Sequence, residues 1–160
     1  MTIRKSGKAG IGILVFLLLI QLIRPAKNQQ LVPSSADLRY HYPPPGDVQH
    51  LLDVACYDCH SNHTRYPWYN NIEPVGWWMA YHVNQAKKHL NFSIFGNYPL
   101  SRLPKMLKNI SGEVKHHDMP IASYLWEHPD ARLTDAQVSR ISGWADSLSA
   151  TLAPASHPIR

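Results

Sequence analysis

From Leu103 onward the apolar residues recur at intervals of three and four, and no segment of the chain shows a sustained two-residue alternation. Leu103, Met106, Leu107, Ile110 and Val114 form one stripe; Leu133, Val138, Ile141, Trp144, Ala145 and Leu148 form another. That spacing places side chains on one face of a helix, whereas a strand needs an interval of two. The chain therefore reads as all-α. Val48, Leu51, Leu52 and Ala55 predict an earlier helix with Asp47 as its N-cap, ending as the cysteines arrive. "EPVGWWMAYHVNQAKKHLNFS" predicts a second helix with Pro74 near its first turn. A third runs from Pro104 or Lys105 to His116, "IASYLWEHP" is a short helix or turn, and Thr134 with Gln137 predicts a capping box on the last helix. Thirteen prolines against eight glycines favour short helices and stiff turns. At 160 residues and 44% hydrophobic, the chain suits one small domain plus extras. Its net charge of +5 is spread out, and no dense Lys/Arg block points to nucleic acid.

The N-terminus is different in kind. Arg4, Lys5 and Lys8 precede an uncharged run from Ala9 to Ile23, closed by Arg24. Such a run is shorter than the roughly 20 residues of a typical bilayer span. It suits the apolar core of an export signal, but "QLIRPAKNQQ" lacks the small-residue pattern of a cleavage site. Residues 1–24 therefore read as an uncleaved signal-anchor, placing the rest of the chain on the periplasmic side. A buried core helix fits less well, because the run is apolar on every face. Residues 25–46, rich in Pro, Ser, Asn and Gln, read as a linker or an arm lying on the domain. The folded domain is expected over 47–150, with a tail over 151–160.

The only two cysteines stand in "CYDCH": Cys56, Cys59 and then His60. Three chemistries compete for this pattern. C-x-x-C-H is the attachment motif for c-type haem: two thiols meet two vinyl groups, and the histidine that follows reaches the iron. A zinc site could use Cys56, Cys59 and His63 with His41, His50 or His82, but leaves His60 unexplained. A disulfide in an exported protein would leave the histidine unrelated. A thioredoxin-like pair would need a strand leading into the motif, and none is visible.

A six-coordinate haem needs a second axial ligand, and low-spin carriers often use methionine. Met119 precedes Pro120 in "HHDMP" and is the candidate; Met79 and Met106 fall inside predicted helices and suit a core. His116, His117 and His82 stay open as alternatives. Tyr66, Trp68, Tyr69, Trp77 and Trp78 read as packing aromatics that could also wall a porphyrin, and Arg65 as a partner for a haem propionate.

"CYDCHSNHTRYPWYNNIEPVGWWMAYHV", then "HLNFSIFG", then "EVKHHDMPIASYLWEHPDARLT", resemble the bacterial haem-binding domain family built around C-x-x-C-H. The resemblance covers roughly Asp47 to Ala150. It implies a small, single-haem, cytochrome c-like helical domain in which Cys56 and Cys59 carry haem c, His60 is the proximal ligand and Met119 the distal one. The family's common "GEMP" stands here as "HHDMP", which is what keeps His116 and His117 in play. The function expected is electron transfer beside a membrane, with a redox protein as partner and no substrate of the domain's own. A haem-based sensor of small ligands is the alternative. A two-haem peroxidase would need a second C-x-x-C-H, which the chain lacks.

Overall fold

The computed structural model describes residues 3–153. Among them every regular element is helical, so the all-α reading holds. The helices are α1 (Ile3–Ile20), α2 (Leu38–His41), α3 (Gly46–Ala55), α4 (Tyr57–His60), α5 (Val75–His89), α6 (Leu103–Lys115), α7 (Ala122–Leu125) and α8 (Asp135–Leu152). Three 3₁₀ turns punctuate them at Trp68–Asn71, Phe92–Asn97 and Pro129–Ala131.

The two apolar stripes read from the sequence face each other: α6 lies along α8, and α3 packs onto α8. Leu103, Leu107 and Ile141 are fully buried at this seam, with Val114, Val138 and Ala145 beside them. Phe92 and Phe95 enter the same core from the second 3₁₀ turn. Both halves of the capping box form on α8: the Thr134 side chain accepts from the Gln137 N–H, and the Gln137 side chain accepts from the Thr134 N–H. On α3 the expected cap fails. Pro45 occupies the N-cap, and Asp47 lies within the first turn, paired with Arg140 of α8 at 2.6 Å.

Residues 25–46 pack onto the domain. Leu38 is wholly buried, and Asp37 caps α2 through the Arg39 N–H. Asn28 is the main fastening point: its N–H donates to the Tyr66 hydroxyl, its carbonyl accepts from the Thr64 N–H, and its side-chain amide donates to the Ser61 carbonyl and Thr64 Oγ1. Lys87 Nζ donates to Asn28 Oδ1.

Among the described residues no helix is long and apolar enough to cross a membrane. α1 contains Arg4, Lys5 and Lys8, and its uncharged part, Ala9–Ile20, spans about 18 Å of helix. The hydrocarbon core of a bilayer is about 30 Å thick. The helix stops at Ile20, short of Arg24, and a tighter turn carries the chain to Ile23. Pro25 disfavours helical backbone at the residue before it. The Gln21 side chain also reaches across to Glu73: Gln21 Nε2 donates to the Glu73 carbonyl at 3.0 Å, and Gln21 Oε1 accepts from the Glu73 N–H at 2.9 Å.

Candidate functional site

α3 ends at Cys56, whose backbone leaves helical geometry (φ −129°, ψ −42°). α4 starts at once, and the His60 N–H closes its single turn on the Cys56 carbonyl at 2.9 Å. One turn therefore carries both thiols and the imidazole, and all three border a cavity of about 440 Å³. Leu90, Phe92, Met106, Ile110, Val114 and Ile121 give it a mostly apolar lining. Its size lies within the roughly 300–1,000 Å³ typical of cofactor sites.

The two residues between the cysteines are gripped from opposite sides. The Tyr57 hydroxyl donates to Asp37 Oδ1 at 2.9 Å, and its ring stacks on Phe92 with centroids 4.9 Å apart. Asp58, buried, accepts from Arg65 through Nε and Nη2, both at 3.0 Å, and from the Tyr124 hydroxyl at 2.8 Å. Arg65 is thus bonded to Asp58, a partner the sequence did not suggest. Burial, followed by the charge of Asp58, holds the Tyr124 phenol well above its usual range.

His60 is oriented with equal care. Its Nδ1 lies 3.0 Å from the Leu90 carbonyl oxygen. A carbonyl can only accept, so Nδ1 carries the proton and Nε2 keeps its lone pair, the form in which imidazole binds a metal. Burial, opposed by this hydrogen bond, depresses the His60 pKa and favours the neutral ring. Phe92 meets the ring edge-on at 6.2 Å. The "LNFS" stretch is the backing of the motif: besides Leu90 and Phe92, Asn91 donates to Asn62 Oδ1 and Ser93 Oγ accepts from the Asn62 N–H.

The thiols are free and quiet. Burial pushes Cys56 up to about 12, with Cys59 and Asp53 adding to the effect. Burial and Asp58 push Cys59 up to about 11. Burial disfavours the thiolate form that an activated redox pair relies on. Among the described residues no three His, Cys, Asp or Glu side chains converge on a point that could hold a metal ion. His63, the zinc alternative's third ligand, lies outside the lining of the cavity that the two thiols border.

Met119 borders the same cavity as His60, delivered by the end of α6. His117 adopts the left-handed conformation (φ 58°). Its N–H bonds the Val114 carbonyl, and the Asp118 N–H bonds the Glu113 carbonyl. This is the Schellman pattern of helix termination, usually built on glycine. It turns the chain back so that Met119 and Pro120 meet the cavity, while His116 and His117 stay exposed and outside its lining. His82 does border it, with Nδ1 donating to the Trp78 carbonyl of its own helix. Met106 is buried in the α6 stripe and also touches the cavity. Met79 lies on a second cavity of about 430 Å³, which shares Asp58, Cys59, His82, Ile121 and Tyr124 with the first.

The aromatic cluster does not act as one packed unit. Tyr69 and Trp78 line the second cavity, Trp77 Nε1 donates to the Ile23 carbonyl, and Trp68 is 75% exposed. Sequence reading missed Asp58, Asn28 and the Leu90 carbonyl. The first two are ordinary polar residues until their partners are in place, and a backbone acceptor has no sequence signature.

A family model for the haem-binding domain matches residues 15–147. The chain belongs to the haem-binding domain family. No curated protein and no solved structure matches it. Haem suits what this haem-binding domain presents: an apolar cavity, an imidazole with Nε2 unprotonated, a thioether on the same cavity and two adjacent protonated thiols.

Proposed function

We propose that this domain carries one haem c, linked through Cys56 and Cys59 as thioethers, with His60 as proximal and Met119 as distal ligand. The observation that carries the reading is the shared cavity. Both thiols, a correctly tautomerised imidazole and a thioether border one apolar space. When bound, haem supplies a one-electron couple at its iron. The chain's own residues do the rest. Leu90 and Phe92 fix the plane of His60, and the apolar lining excludes water. The Schellman turn presents Met119 to the cavity, where its thioether would serve as a second iron ligand and would raise the reduction potential.

The role that fits these features is electron transfer to and from a redox protein, with no substrate of the domain's own. α1 supplies the anchor that keeps the domain beside a membrane on its periplasmic side. Residues Ile13–Leu19 are each between 43% and 62% exposed. Every face of that stretch therefore wants an apolar solvent, and the domain covers none of them.

The test is a pyridine haemochrome spectrum with intact mass, on the full chain expressed with export and haem-maturation machinery. A c-type spectrum and the mass of one added haem are expected. A colourless protein, or one whose haem is extracted by acid solvent, overturns covalent attachment.

A further inference from the structure

The end of α1 is fastened to the domain beside its most apolar exposed surface. Gln21 and Glu73 exchange two hydrogen bonds, and Trp77 Nε1 donates to the Ile23 carbonyl at 2.7 Å. Ile20 is buried at this junction, while Leu22 and Ile23 are exposed. Glu73, which receives α1, follows Ile72 and stands two residues before Val75, both exposed. Trp78 is exposed one turn along α5 from Val75. The Trp68 ring meets Tyr69 at 5.8 Å, and Tyr69, Val75 and Trp78 share the second cavity with Trp126, which is 79% exposed.

We infer that this face, made by Trp68, Ile72, Val75, Trp78 and Trp126, is a membrane-docking surface whose occupant is the headgroup and upper acyl region of a phospholipid bilayer. The inference rests on α1 being the anchor and adds an orientation to it. Three observations select lipid as the occupant. The patch continues directly from the exit of an all-round apolar helix. The connection is a hydrogen-bonded joint, so the face is held beside the point where α1 enters its apolar solvent. The patch is rich in tryptophan, the residue enriched at membrane–water interfaces, where an apolar body and one N–H donor are both satisfied. Arg24 and Lys27, exposed just past the joint, add attraction to anionic headgroups. One consequence concerns the site: the second cavity, which shares Cys59 and Tyr124 with the first, opens toward the membrane surface.

The full haem-loaded chain is reconstituted into vesicles of phosphatidylcholine and phosphatidylglycerol carrying a photoactivatable group at the glycerol level. Lipid adducts are then mapped by mass spectrometry. Tyr40 and Leu100, equally exposed but on the side formed by α2 and the second 3₁₀ turn, serve as controls. Adducts at Trp68, Ile72 and Trp126 several-fold above those controls are expected, together with adducts along α1. Adducts confined to α1 overturn the docking surface and leave the anchor standing. Adducts on neither overturn both. Adducts on the patch alone uphold docking and remove α1 as the anchor. A Trp68→Ser/Trp126→Ser variant, altered only at exposed side chains, is expected to lose patch adducts several-fold and keep those on α1. Unchanged labelling of Ile72 and Trp78 in that variant counts against a tryptophan-led contact.

Discussion

Asp58 stands between the two thiols and gathers Arg65 and Tyr124 around a buried carboxylate. Its position ties the chemistry of the cysteines to burial. With Cys59 pushed up to about 11, the thiolate fraction at pH 8 is about one in a thousand, against roughly one in four for an unperturbed thiol of pKa 8.5. Alkylation of the folded, haem-free protein at pH 8 is therefore expected to run about two orders of magnitude slower than in denaturant. It should accelerate about tenfold per pH unit as the thiolate form rises toward that pKa. Equal rates in the folded and unfolded protein, followed by mass spectrometry, would show the thiols to be activated. On the same cavity, Met119→Ala is expected to leave haem attached and convert its low-spin spectrum to a high-spin or water-ligated one. An unchanged spectrum removes Met119 from the ligand set and leaves His82, His89 and Met106 as the candidate side chains bordering the same cavity.

At the scale of elements, the start of α5 shows a local rule overridden by its neighbours. Gly76 lies in the first turn of α5, where alanine ordinarily stabilises a helix by up to about 1 kcal/mol. Here a Cβ would lie 2.5 Å from the Asn70 carbonyl oxygen and 2.7 Å and 2.8 Å from the Glu73 carboxylate oxygens. Backbone cannot yield as a flexible side chain does, so Gly76→Ala is expected to lower the melting temperature; a rise would show that the joint can relax. The helices themselves were legible because each long one carries its stripe in contiguous residues. Leu103, Leu107, Val114, Val138 and Ile141 all point inward as their spacing requires. Asp47 was misread because a good capping residue two places from a proline looks the same whether or not its side chain folds back. The Arg140 that draws it away is distant in sequence. Met119 was visible through its proline. The left-handed turn at His117 that delivers it was not, because histidine there gives no glycine signal.

For the molecule as a whole, the arm contributes more than a connection. Asn28 uses its amide and carbonyl groups, main chain and side chain, to bind the segment just after His60 and to reach Lys87 on α5. Asn28→Ala removes three of these contacts and is expected to cost about 1–3 kcal/mol, read from urea unfolding followed by circular dichroism. A midpoint unchanged from the parent would mean the arm rides on the domain without supporting it. A composition rich in Pro, Ser, Asn and Gln suggested an extended arm correctly in style. It could not show that Leu38 completes the core, because one leucine in a polar stretch has no period to betray it.

The double grip on the Cys56–His60 turn also orders events in time. Tyr57 is held by Asp37, which precedes it in the chain, but Asp58 waits for Tyr124. At a synthesis rate of about 5–20 residues per second, the 64 residues from His60 to Tyr124 take roughly 3–13 s to appear. During that interval the thiols have their motif but not their final enclosure. The two grips on this turn thus come from opposite ends of the chain, one available early and the other late.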